Sequence, residues 1–86
     1  MAKYNLEVKP SVWKDLDPVP KADRKRLIKR INELRIEPRP FGCQKLSGHE
    51  RYRIRQGNYR ILYTIEDELL IVFVIKIGNR REIYKR

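Results

Sequence analysis

The stretch from Arg51 to Tyr63 limits what this chain can fold into more than any other part of it. It reads Arg-Tyr-Arg-Ile-Arg-Gln, pauses at Gly57-Asn58, and resumes Tyr-Arg-Ile-Leu-Tyr. Basic and apolar residues alternate on both sides of the pause, the period-2 pattern of strands with one buried face. A two-residue loop that begins with glycine predicts a type II′ hairpin, because its first position needs φ > 0. Pairing Gln56 with Tyr59 sets Arg55 opposite Arg60, Ile54 opposite Ile61 and Tyr52 opposite Tyr63. Tyr52, Ile54, Tyr59, Ile61 and Tyr63 then make a core face. Arg51, Arg53, Arg55 and Arg60 make the other, with Leu62 and Thr64 beyond them. Like charges directly opposite one another destabilise a sheet, so this face points to an anionic ligand. Charged outer faces are also common where antiparallel sheets meet water, and the hairpin alone leaves that plainer reading open.

The rest of the chain predicts what covers the core face. Tyr4 to Val8 alternates as a short half-buried strand. A first helix is expected to start at Ser11 as N-cap, turning Val12, Trp13 and Leu16 inward. Pro18 and Pro20 end it, and Pro20 suits the first turn of the next helix. From Lys21 to Ile36 the apolar positions Leu27, Ile28, Ile31 and Leu34 form an amphipathic stripe. Lys21, Arg24, Lys25, Arg26, Lys29 and Arg30 line the other side as a solvated face. Pro38 and Pro40 stop this helix, and Phe41 to Gly48 reads as a loop. Leu69 to Ile75 is apolar without alternation, so it should be a central strand that Gly78-Asn79 breaks. The order β-α-α-β-β-β predicts an α+β domain, with a helical hairpin packed on a mainly antiparallel four-stranded sheet.

At 86 residues, the chain has room for one core, so residues 1–86 are read as a single domain. Lys and Arg number 21 against 11 Asp and Glu, a net charge of +10. Such an excess implies a polyanionic partner. The run from Leu69 to Ile75 is too short to span a bilayer, and the N-terminus lacks the apolar core of a signal peptide. A lone cysteine, Cys43, cannot form an internal disulfide and suits a reducing cytoplasm.

Elimination narrows the chemistry. One histidine and one cysteine cannot build a structural zinc site. Phosphate-binding loop, dinucleotide turn and serine elbow are all missing from the sequence. Arginine, tyrosine and one histidine remain, groups that bind phosphate and can assist RNA cleavage by the substrate's own 2′-OH. Arginine matches phosphate oxygens bidentately but is a poor base. Tyrosine can move a proton when nearby cations lower its pKa. Neither metal nor cofactor is expected where several cations surround one phosphate.

Four short motifs carry a resemblance: Lys45-Leu46-Ser47-Gly48, Tyr52-Arg53-Ile54-Arg55, Gly57 to Tyr63, and Gly78-Asn79-Arg80-Arg81-Glu82-Ile83-Tyr84. In order and spacing they resemble RelE-type toxins of the RelE/ParE toxin–antitoxin superfamily, over nearly the whole chain. The resemblance implies a RelE-like fold and metal-independent, ribosome-dependent endoribonuclease action on mRNA in the A site. It also implies neutralisation by an acidic, RelB-like antitoxin. The family's catalytic positions fall on Arg53, Arg55, Arg60, Arg80 and Tyr84. Lys45, Arg51 and Arg81 are the expected contacts to mRNA and ribosomal RNA. The best-known members carry lysine where this chain has Arg53 and Arg55, which leaves proton transfer open between Tyr84 and His49. Two alternatives stand beside this reading: a ParE-like toxin acting on gyrase, and a catalytically inert RNA-binding module.

Overall fold

The computed structural model describes residues 3–46 and 51–79. Strand β1 (Asn5–Val8) leads into helices α1 (Pro10–Leu16) and α2 (Lys21–Glu33), followed by β2 (Gln44–Lys45), β3 (Arg51–Gln56), β4 (Tyr59–Glu66) and β5 (Ile71–Asn79). The strands form one five-stranded sheet in the order β1-β5-β4-β3-β2. β1 runs parallel to β5, and the other pairings are antiparallel. The class is α+β, as expected.

Most differences from the sequence reading are at element ends. The sheet has a fifth strand, the two-residue β2, inside the segment read as a loop. β5 starts at Ile71 and continues through Gly78 and Asn79, because β4 supplies partners as far as Tyr59. A register shift at Leu62/Tyr63 leaves Ile75 without a partner across from it, and this hides the alternation of β5. Helix α1 begins at Pro10 with Lys9 as N-cap and no side-chain cap, so Ser11 lies within the first turn. Helix α2 stops at Glu33, three residues earlier than the apolar stripe suggested.

The core is the contact between helices and sheet. α1 packs over β5, and α2 over β3. Val12, Leu16, Leu27, Ile31 and Leu34 meet Ile54, Ile61, Tyr63, Val72, Val74 and Ile77, all buried. Trp13 was expected inward but is 56% exposed. With Ile28 it walls a small apolar cleft of about 150 Å³ between the helices.

β1 ends at Val8, opposite Val74, so the later part of β5 has a bare edge on that side. Asp15 of α1 covers it: its Oδ2 accepts the Ile77 backbone N–H at 3.1 Å. This satisfies a donor that an absent strand would otherwise leave orphaned.

The α2–β2 connection is tied down by a polar latch. Arg39 forks onto Asp67 through two bonds of 3.1 and 2.8 Å. The same guanidinium lies 5.2 Å from the centre of the Tyr52 ring and donates to its hydroxyl at 3.2 Å. Tyr4 Oη donates to Asp67 at 2.8 Å, and the buried Tyr63 hydroxyl donates to Pro38 O at 2.8 Å. The Arg39 and Tyr4 donors hold the Asp67 carboxyl down at about 2. Burial pushes the Tyr63 phenol well above its ordinary value. No helix among the described residues is long and apolar enough to cross a membrane.

Candidate nucleic-acid interface

The hairpin forms in the expected register. Gln56 pairs with Tyr59, Arg55 with Arg60, Ile54 with Ile61 and Tyr52 with Tyr63. Gly57 has φ +61° while Asn58 stays out of the left-handed region, the type II′ arrangement. Directly opposed residues share a face, so Tyr52, Ile54, Ile61 and Tyr63 enter the core. Arg51, Arg53, Arg55 and Arg60 therefore lie together on the outer face.

Their environments differ. Arg51 and Arg55 are exposed, and Arg53 is half-buried. Arg60 is 0% exposed, a fully covered guanidinium in the second row of the site. Across from it on β5 stands Gly78, which adds no side chain to that face. Among the described residues of this face, the cations open to a ligand are thus Arg51, Arg53 and Arg55, while Arg60 is buried.

Sequence reasoning missed two neighbours. Gln44 pairs with Arg53 across the β2–β3 edge, and its side-chain Oε1 accepts a hydrogen bond from the Arg53 guanidinium. Nothing in the sequence marked this residue, since β2 is too short to show a period. Lys76 pairs with Leu62 on β5, and its Nζ lies 3.9 Å from Asp15. The bulge at the start of that pairing shifts its phase, so alternation could not have found it.

Not every expected contact joins the cluster. Lys45 pairs with Tyr52 and so belongs to the helix-facing side of the sheet edge, away from Arg53. Arg80, Arg81, Tyr84 and His49 lie outside the described residues. β5 does end at Asn79 opposite Tyr59, next to the hairpin end that carries Arg55 and Arg60.

The basic face of α2 is organised differently. Arg26 pairs with Asp23 at 3.3 Å, and Arg30 with Glu33 at 3.4 Å. Arg24 donates to Val19 O at 3.2 Å. Lys21, Lys25, Arg26 and Lys29 are exposed, as the sequence reading expected, whereas Arg24 and Arg30 are half-buried.

Comparison with known proteins adds four findings. The family model described as "ParE toxin of type II toxin-antitoxin system, parDE" matches residues 6–84. RelE1 of Methanocaldococcus jannaschii, by its name a provisional toxin, is 32% identical over 96% of this chain and 97% of its own. The mRNA interferase toxin RelE of Escherichia coli is 30% identical over 94% of this chain and 90% of its own. Among solved structures, the archaeal RelE–RelB complex from Pyrococcus horikoshii superposes with a TM-score of 0.82 at 30% identity, covering 91% of this chain and 96% of that one.

Proposed function

We propose an activity from one premise: the chain belongs to the RelE/ParE family of toxins from type II toxin–antitoxin systems, and within it is a RelE-type toxin. The activity is metal-independent, ribosome-dependent cleavage of mRNA in the A site. The 2′-oxygen of the substrate attacks the adjacent phosphorus and the bond to the 5′-oxygen breaks. This leaves a 2′,3′-cyclic phosphate on one fragment and a 5′-hydroxyl on the other. One group takes the 2′-OH proton and one protonates the leaving oxygen.

The observation that carries this reading is the single face holding Arg51, Arg53, Arg55 and Arg60, with Arg53 held by Gln44. Arg53 and Arg55 clamp the phosphate oxygens, and their forks match the charge that develops on the phosphorane. Arg60 adds a fixed positive potential from beneath. Arg80 completes the clamp, and Tyr84 or His49 moves the proton, since arginine stays protonated. Arg51 and Arg81 hold mRNA or ribosomal RNA at the rim. The partner is an acidic, RelB-like antitoxin, a reading supported by the RelE–RelB assembly of the Pyrococcus horikoshii relative and by the net charge of +10.

The test is to map cuts on mRNA translated with purified protein present. Cuts within the A-site codon that vanish in Arg55→Ala support the reading. The family description names ParE, so a gyrase supercoiling assay belongs beside it. Gyrase inhibition without mRNA cuts would replace the nuclease reading with the ParE-like one.

A further inference from the structure

Phe41 is the most exposed large apolar residue among those described, at 102%, and the protein holds it there. It sits at the second position of a turn that Cys43 N–H closes onto Pro40 O at 3.0 Å. Gly42, at the third position, has φ +93°, the value a type II turn requires. A side chain at Gly42 would meet nothing within 4 Å, so the turn stands clear of the body. The loop leading to it is nevertheless anchored. Tyr63 Oη binds Pro38 O at 2.8 Å, and Arg39 is forked onto Asp67 and laid over Tyr52.

Burying a phenylalanine contributes about 1.5–3 kcal/mol, and this fold leaves that contribution unused on a stiffly tied turn. A ring presented in this way loses little conformational freedom when something covers it. The turn runs directly into β2, where Gln44, three residues on, touches the Arg53 guanidinium. Three residues span at most about 10 Å, so one bound strand can touch both Phe41 and Arg53. The neighbours of the ring in sequence are Arg39, Pro40, Gly42, Cys43 and Gln44; Cys43 packs against the core, and the others make no apolar cluster of the kind that anchors a protein partner. A single ring beside phosphate-binding cations suits a base of single-stranded nucleic acid.

We propose that Phe41 is a base-stacking residue, which takes a nucleobase of the mRNA strand next to the phosphate held by Arg53 and Arg55. This rests on the nuclease reading above, and it adds a contact made through the base where the arginines act through the phosphate.

The experiment uses full-length protein and ribosomes programmed with an mRNA made uncleavable by 2′-O-methylation at the cut. Affinity is measured for wild type, Phe41→Ala, Phe41→Trp and Arg53→Ala over a range of salt. Phe41→Ala should weaken binding about 10- to 100-fold with the salt slope unchanged, and Phe41→Trp should restore it. Arg53→Ala should instead make the slope shallower by about 0.7. An abasic nucleotide at one position flanking the cut should weaken wild type but not Phe41→Ala. Wild-type affinity for Phe41→Ala, or abasic effects that add to it at every position, would overturn the proposal. A loss confined to antitoxin capture would also overturn it, making the ring a protein anchor. Cleavage of unmodified mRNA by wild type separates the two ideas: if no A-site cut appears the nuclease reading fails, and if cuts appear while Phe41→Ala binds normally only the stacking contact fails.

Discussion

Helix α2 and the β3–β4 hairpin are both rich in arginine, yet they treat charge in opposite ways. On α2, Arg26 and Arg30 each meet an acid three residues away on the same helix. On the hairpin, Arg55 faces Arg60, and among the described residues Arg51, Arg53 and Arg55 form no ion pair. The first arrangement gives two of its six cations an acid of their own, and the second gives none to the arginines open to solvent among the described residues. Composition therefore says little about where an anion binds. The deciding quantity is local pairing, because an exposed cation beside its own counter-charge has little left to give a ligand.

The largest expected effect is in catalysis. Arg55→Ala should reduce single-turnover cleavage on programmed ribosomes roughly 10²–10³-fold, while Arg26→Ala on the self-paired helix leaves it unchanged. Equal losses from both would erase the distinction between the two surfaces.

Arg60 sharpens it. Arg60→Met removes a covered charge that stands opposite Arg55 and keeps much of the side-chain volume. Cleavage should fall by a similar roughly 10²–10³-fold in variant protein that remains folded at the assay temperature. A variant that loses both stability and activity would mean that Arg60 serves mainly as a structural residue.

Gln44→Leu tests a polar contact that orients Arg53. Losing it should lower the maximal cleavage rate roughly three- to tenfold with little change in RNA affinity, because the charge of Arg53 remains. Rescue by Gln44→Asn, or an affinity loss as large as the rate loss, would weaken the orienting role.

The smallest effect concerns the latch, a doubly hydrogen-bonded ion pair between Arg39 and Asp67. The Asp67 carboxyl is held at about 2 against an ordinary 3.8. A folded pKa below the unfolded one stabilises the protein fully above the unfolded value, and this stabilisation is lost as pH falls through the folded one. Thermal melts should therefore show a slight loss of stability on acidification from pH 4 to pH 2. Asp67→Asn should flatten that limb and leave the profile above pH 5 parallel to wild type. An unchanged acid limb in the variant would show that the Arg39 fork contributes nothing measurable.

The hairpin shows what this sequence determined by itself. Alternation from Arg51 to Tyr63 around a glycine-led turn specified the register, the type II′ loop, the core face and the arginine face, because each depends only on neighbours along the chain or across a two-residue turn. The helical stripes and the apolar run of β5 carried the α+β class for the same reason. Tertiary structure decided the rest. β2 exists only because β3 offers it a free edge, and its two residues then send Gln44 to the arginine face and Lys45 away from it. The bulge after Leu62 exists only in the pairing of β4 with β5, so the place of Lys76 could not be read beforehand. Trp13 and Ile28 have the spacing of core residues but stand exposed at the mouth of an apolar cleft. Arg60 has the pattern of an exposed strand residue and is covered completely, since burial on the outer face depends on what the remainder of the chain lays there. Phe41 reverses that case: an aromatic ring that composition would assign to the core is left in water, because the latch at Arg39 and the turn at Gly42 point it there.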